Sequence, residues 1–396
     1  MSEQKVFLEQ INIKNFLSLR NVTLSLKPLT VLVGPNASGK SNILSALNLL
    51  NTMTIAENPP PPKFIQDRLW AGKENNVFFQ LHTKVETTSA EYRLEISSKS
   101  DNPIVAEELL VKDQKNVQAI FIENGEGTVQ DEDGSNKTNY KSNKLALKSA
   151  GDYGNKPITR TLTEFIKGWE FYDFQPGYRR GGVTRLTEIL SGESEAFPES
   201  PKLDDDGSTL PILLSYWYEN DRQRFNKVSE SLQRCTNIRI DFCVLDGDRQ
   251  LCLSEGYERP ILLKRASDGT LRLVAYYILL NEPELPSLIA IEEPERNLHP
   301  GALTDIANVL EQLAERTQVI ITTHSSQLLD TFSSNNLSDW LGVLLLRNPL
   351  GHGTEVINVE EIRRNRKGLD GWIIDFGVGS AIFDSGLLQD LMEEPV

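Results

Sequence analysis

The chain is poor in cysteine: Cys235, Cys243 and Cys252 are odd in number and follow no zinc-ligand spacing. That excludes a zinc module and reads as three reduced core residues in a cytosolic protein. No apolar run reaches the roughly 20 residues of a membrane-spanning helix, so no membrane association is expected. Met1 to Lys5 lack the basic segment and apolar stretch of a secretory signal. Positive charge is scarce as well. A formal net charge of −15 excludes a generic basic coat for nucleic acid. It leaves room for a local basic groove at Arg179-Arg180 with Arg185, or at Arg363-Arg364 with Arg366 and Lys367. Each cluster reads as a DNA contact, a phosphate contact or a solvated face. There is no internal repeat and no sustained heptad. What remains is a globular chain of 396 residues, long enough for one large core or two moderate ones.

Two alternating segments open it, Val6 to Ile13 and Asn21 to Leu26. Leu29 to Val33 is almost wholly apolar, as a strand buried on both faces should be. Gly34 to Ser41 follows, and then Asn42 to Asn51 with helical apolar spacing at Ile43, Leu44, Leu47 and Leu50. Four prolines, Pro59 to Pro62, mark an exposed loop. From Asn76 to Val129 the period is 2, which predicts an antiparallel meander. Asp131 to Asn143 is polar and predicts a surface loop. Helices are expected within Ile158 to Trp169 and Leu210 to Gln233, and a β segment from Ile238 to Leu253. The turn Ala266 to Thr270 opens an apolar helix, Leu271 to Leu280. Leu288 to Ile291 then delivers Glu292 and Glu293; after a helix from Gly301 to Arg316, Val319 to Thr323 delivers His324. Open α/β sheets bind ligands at the carboxyl ends of their strands, so these segments bring a loop, two acids and a histidine to one edge.

Gly34-Pro35-Asn36-Ala37-Ser38-Gly39-Lys40-Ser41 fits G-x-x-x-x-G-K-[ST] at every fixed position, in the strand–loop–helix context that a P-loop needs. Its glycines let backbone N–H groups turn inward around a β-phosphate, and the helix that follows adds its positive end. Lys40 is placed to bridge β- and γ-phosphates and Ser41 to ligate Mg²⁺, so ATP and Mg²⁺ are the expected ligands. Of the two acids, Glu292 takes the metal side and Glu293 deprotonates the attacking water. The bland alternative is a helix start decorated with acids. His324, at the end of its strand, is a γ-phosphate contact rather than a core histidine. His299, in Leu298-His299-Pro300, either joins the site or only shapes the turn after the acids. Ser267-Asp268-Gly269 puts a Ser and a Gly at a helix start, an anion site in its own right or a plain cap.

In order and spacing the chain resembles ABC-class ATPases of the SMC/RecF/OLD branch, and most closely the short stand-alone bacterial proteins often labelled "AAA family ATPase". The matching residues span nearly the whole chain. They are Ile13-Lys14-Asn15-Phe16, Asn36 to Ser41 with Asn42, Ser267 to Thr270, Glu292-Glu293-Pro294-Glu295 with Leu298-His299-Pro300, and Thr323-His324-Ser325. The resemblance implies that Ser267-Asp268-Gly269 is a signature loop reaching across a dimer to the partner's γ-phosphate. Asp268 stands where the usual motif has its first Gly. It also implies that Gln175, in Phe174-Gln175-Pro176, senses Mg²⁺ and water, and that Asn42 belongs to the nucleotide cradle. Glu292 stands where many relatives have Asp, and its extra methylene implies metal contact through water.

The fold expected is therefore α/β, a P-loop NTPase built as one ABC-type ATPase head. Residues 1–180 form lobe I, with the P-loop and β meander; residues 181–396 form lobe II, with the signature loop, acid pair and histidine. Arms of the SMC kind are absent, and no Asp-x-Asp cluster of a fused TOPRIM nuclease follows His324. The function expected is an ATP-hydrolysing switch that forms a homodimer or higher homo-oligomer around nucleotide. It would control a separate effector, nuclease or toxin-like, in phage defence or DNA repair. A nucleotide-gated scaffold with little turnover and a self-sufficient DNA-processing ATPase are the alternatives.

Overall fold

The computed structural model describes residues 6–72, 76–99, 103–113, 115–141, 143–174, 201–245, 247–256, 259–332, 340–365 and 368–384. Alternation dictates the first layer. In β1 (Val6–Phe16) the residues Val6, Leu8, Ile11, Ile13 and Phe16 are buried, while most of those between them are not. β1 pairs antiparallel with β2 (Leu19–Ser25), and β3 (Leu29–Val33) then leaves for another sheet. β4 (Val77–Val85) returns to the free edge of β1. β5 (Thr88–Ile96), β6 (Ile104–Lys112), β7 (Asn116–Glu123) and β8 (Glu126–Val129) continue the antiparallel meander. The polar stretch from Asp131 to Asn143 departs from the expected loop. It contributes β9 (Thr138–Lys141), an edge strand whose mostly exposed side chains hide any period-2 signal. Asp131 in that stretch is buried against Lys156, at 3.0 Å.

β10 (Trp169–Tyr172) belongs to the second layer. After it in the chain, β11 (Arg239–Leu245), β12 (Asp248–Ser254) and β13 (Ile261–Leu262) form a small antiparallel sheet of their own. β14 (Leu288–Glu292), β15 (Gln318–Thr323), β16 (Leu341–Arg347) and β17 (Glu355–Asn358) complete the six-stranded sheet, in the order β10-β14-β15-β3-β16-β17. All its neighbours are parallel except β17. This sheet takes strands from both sides of residue 180, and the P-loop strand β3 lies at its centre, fully buried.

Strand alternation sorts the apolar residues of this sheet into two cores. Leu32, Leu288, Ala290, Ile320 and Leu344 face the meander, with helices Lys40–Ile55 and Pro157–Lys167 packed between the sheets. Val31, Val33, Ile289, Ile291 and Ile321 face the helices Leu210–Asn220, Arg222–Thr236, Asp268–Asn281 and Leu303–Ala314. The helical stretch expected over Leu210 to Gln233 is thus two helices, divided where Asp221 caps the second by accepting from the Arg224 N–H at 3.2 Å. One side chain bolts the layers together. At the β-bulge between Leu8 and Gln10, the buried Gln318 amide accepts from the Leu8 N–H (3.1 Å) and donates to the Leu8 carbonyl (2.9 Å).

The reading of three reduced core cysteines is corrected. Cys243 and Cys252, on adjacent strands β11 and β12 with Cα atoms 5.9 Å apart, are joined by a disulfide, and only Cys252 of the three is buried. The hairpin brings the two thiols together across the ladder, a proximity that spacing along the chain does not display. Cys235 is free, and burial pushes its thiol above the usual range.

Candidate nucleotide-binding site

Parallel register aligns the ends of three strands. Thr323 lies beside Val33 and Glu292 beside Thr322, so the loop after β3, the acids after β14 and His324 after β15 emerge on one edge. The loop has the backbone that its glycines permit. Ala37 (φ 62°) and Gly39 (φ 106°) are left-handed, and Gly39 caps the helix Lys40–Ile55. A Cβ on Gly34 would strike the Leu346 carbonyl, and one on Gly39 the Thr354 hydroxyl. The loop is thus clamped from outside. The Thr354 hydroxyl donates to the Ser38 carbonyl (3.0 Å) and lies 2.7 Å from the Ser18 hydroxyl. Asn42 donates to Ser18 at 2.7 Å, and Asn348 donates to the Ala37 carbonyl at 3.1 Å.

Lys40 is folded over the mouth of this loop, donating to the carbonyls of Gly34 (2.7 Å) and Pro35 (3.0 Å). Burial lowers its pKa, against the attraction of Glu293, Glu292 and Glu295. The Ser38 hydroxyl is buried with no hydrogen-bond partner among the described residues. Ser41 donates to the Glu292 carboxylate. Beside that pair opens a cavity of about 440 Å³, lined in part by Asn48, Tyr172, Asp173, Asp206 and Glu292. A hydroxyl and a carboxylate form a hard oxygen donor set, which fits Mg²⁺. A loop too tight for Cβ atoms, with an unspent hydroxyl and a lysine at its mouth, fits a nucleotide's phosphates.

Glu293 makes a separate set of contacts. Its backbone is left-handed (φ 42°), a conformation that costs a non-glycine residue about 1–3 kcal/mol and persists where surroundings enforce it. Thr322 does so from β15, where its carbonyl and hydroxyl both accept from the Glu293 N–H at 3.1 Å. The carboxylate lies 3.2 Å from His324 Nδ1 through Oε1, and Oε2 accepts from Arg296 Nε (2.9 Å) and Nη2 (2.8 Å). Burial pushes this carboxyl up, but Arg296 and His324 outweigh it and the pKa lies below its usual value. Arg296 in turn reaches Asp173, at 3.0 Å. Glu295 does not face solvent: it accepts from the Thr323 hydroxyl at 2.6 Å and from the His324 N–H at 3.4 Å.

Ser267 caps helix Asp268–Asn281 by accepting from the Thr270 N–H at 3.1 Å, and both Ser267 and Asp268 are exposed. Gly269 packs on the turn after the acids, where a Cβ would come within 2.7 Å of the Asn297 carbonyl. His299 uses Nδ1 to accept from the Gly301 N–H at 3.1 Å, so it shapes its own turn. Gln175 and the cluster Arg179, Arg180 and Arg185 lie outside the described residues, as do Arg366 and Lys367. Arg363 and Arg364 are paired with Asp370 and Glu360. The sequence reading missed Ser18, Thr354, Asp173, Arg296 and Arg272. Of these only Arg296 carried a local signal, three residues after Glu293 in a turn.

A central parallel sheet with a P-loop after its middle strand and acids after a neighbouring one, backed by an antiparallel meander, defines an ABC-type ATPase of the SMC/OLD kind. The chain belongs to the family described as "AAA domain, putative AbiEii toxin, Type IV TA system", which matches residues 29–330. It is 26% identical over 369 residues to the Old nuclease of Escherichia phage P2, covering 84% of this chain and 58% of that one. It is 46% identical to the OLD nuclease of Thermus scotoductus over 43 residues, 11% of this chain and 8% of that one. The chain thus spans little more than half the length of the phage relative. Among solved structures, an SMC head bound to the C-terminal winged-helix domain of ScpA superposes with a TM-score of 0.50 at 11% identity. That match covers 90% of this chain and 99% of the other, and it shows the shared fold.

Proposed function

We propose that the protein binds ATP with Mg²⁺ at Gly34 to Asn42, hydrolyses it, and uses the cycle as a switch over a separate effector. The observation that carries this reading is the sheet edge itself, where Lys40, the Ser41–Glu292 pair and the Glu293–His324 pair meet across three parallel strands. Lys40 binds β- and γ-phosphate oxygens, leaving the loop carbonyls it now occupies. Ser41 and Glu292 hold Mg²⁺, which supplies charge neutralisation at the phosphates. Glu293 accepts the proton of the attacking water, and His324, 3.2 Å from its carboxylate, contacts the γ-phosphate. Ser267, Asp268 and Gly269 supply donors to a second chain's nucleotide, so the working unit is a homodimer or larger assembly. The kinship with nucleases supports a nuclease-like effector, in phage defence or DNA repair; DNA itself is the less favoured partner.

Mg²⁺-dependent phosphate release tests the enzyme, and Lys40→Ala is expected to abolish it by weakening nucleotide binding. Glu293→Gln is expected to bind normally and lose about 10²–10⁴-fold in turnover. Wild-type turnover in Glu293→Gln would remove Glu293 as the base. A second reading, a nucleotide-gated scaffold, draws support from Arg296, whose double contact occupies the carboxylate of Glu293. Tight ATP binding without turnover in the wild type would favour it. Control of an effector is tested by co-purification with the product of the adjacent reading frame, in ATP and in ADP. Equal recovery in both would refute a nucleotide switch.

A further inference from the structure

Arg272 is among the largest fully buried side chains, on the second turn of the helix that Ser267 opens. Its Nη1 approaches the carbonyl of Glu293 at 3.4 Å and the guanidinium lies against the Tyr276 hydroxyl, while Nε and Nη2 have no partner of hydrogen-bond geometry among the described residues. A guanidinium held dry with two donors unspent costs stability, since desolvating a cation is repaid only by close acceptors. The same helix grips the next peptide as well, where the Tyr276 hydroxyl donates to the Pro294 carbonyl at 3.3 Å. Arg272 also lies within the electrostatic reach of Arg296, which holds the Glu293 carboxylate, and of Asp173, which pairs with Arg296.

We propose, resting on the hydrolytic reading above, that Arg272 is a positioning residue tying helix Asp268–Asn281 to the backbone of Glu293. Two features place it in that role rather than in packing. The residue it touches is the left-handed one (φ 42°), and the carboxylate of that residue lies 3.2 Å from His324 Nδ1. The helix it sits on is capped by the exposed Ser267, five residues upstream. Arg272 therefore gives that helix start a direct link to the backbone of the base, beside the Tyr276 contact to Pro294. Apolar residues of similar volume would pack the site at less cost, so packing alone does not account for the arginine.

The test compares wild type, Arg272→Met, Arg272→Lys, Glu293→Gln and the double variant Arg272→Met/Glu293→Gln. It measures kcat and KM for Mg-ATP, nucleotide affinity and the thermal midpoint. Arg272→Met is expected to keep affinity and a midpoint equal to or above wild type. Its kcat should fall on the order of 100-fold, as misplacement of a catalytic group by about 1 Å can cause. Arg272→Lys, with one donor in place, should recover part of that loss at unchanged KM. The double variant should be no slower than Glu293→Gln, because Arg272 acts only through Glu293. A wild-type kcat in Arg272→Met, or losses that multiply in the double variant, overturns the proposal. If Arg272→Met does not fold, Arg272→Lys decides, and a raised KM at wild-type kcat overturns it. A wild type without turnover defeats the hydrolytic reading itself, and this inference with it.

Discussion

At the scale of single residues, the site is set by backbone that most side chains cannot adopt. Gly39 combines φ 106° with a position where a Cβ meets the Thr354 hydroxyl, so Gly39→Ala faces strain and collision together. About 1–3 kcal/mol of strain would be relieved by opening the cradle. The expected outcome is a fold that survives with nucleotide affinity reduced about tenfold or more, read by titration with a fluorescent nucleotide. Near-normal affinity would mean that the loop adapts without loss. The residues proposed to face a phosphate were legible because each sits in a short motif after an apolar run. The supports were not. Ser18 and Thr354 meet across 336 positions, and Arg272 reads as an ordinary charge on an apolar helix until burial is known. Neither spacing nor periodicity encodes such contacts.

At the scale of elements, the strands announced themselves by alternation or by unbroken apolar runs, and the helix starts by their turn residues. What stayed hidden were joints between elements, where one polar side chain does the fastening. Glu107 of β6 is such a joint. Fully buried, it accepts from the N–H groups of Ala146 (2.6 Å) and Leu147 (2.7 Å), holding the start of helix Ala146–Ala150, and from the Tyr92 hydroxyl at 3.0 Å. Burial pushes its carboxyl up to about 7 from 4.5, against these donors. An acid whose folded pKa is raised holds its proton more tightly in the native state than in the unfolded chain. Its contribution is full below pH 4.5 and is lost as pH rises towards 7. Chemical denaturation across that window should show this group's share of stability falling, by at most about 1.4 kcal/mol per pH unit. Glu107→Gln should remove that share of the slope while lowering the baseline, because one of the two oxygens that accept from Ala146 and Leu147 becomes an amide nitrogen, which only donates. An identical slope in variant and wild type would refute the assignment.

At the scale of the whole molecule, Ser267 and Asp268 lie exposed at a helix start, and under the proposed function they meet the nucleotide of a second chain. Head-to-tail closure would bury two ATP molecules symmetrically between two chains. Glu293→Gln in Mg-ATP is expected to form a closed dimer, or pairs within a larger ring, by light scattering. Ser267→Arg should block closure and lower hydrolysis by about tenfold or more, while leaving the affinity of one chain for ATP unchanged. An unchanged hydrolysis rate in Ser267→Arg would return the loop to being a plain helix cap. The Gln318 amide has a consequence at this scale too. A bulge is where a strand ordinarily begins to peel, yet here both hydrogen-bonding groups of Leu8 are occupied from the other sheet. The weak point of the outer layer is thereby moved into the inner one, and the two sheets are made to melt together. The Leu8 amide should exchange its proton with solvent only when the whole head opens, at the rate of the central strands rather than of an outer edge.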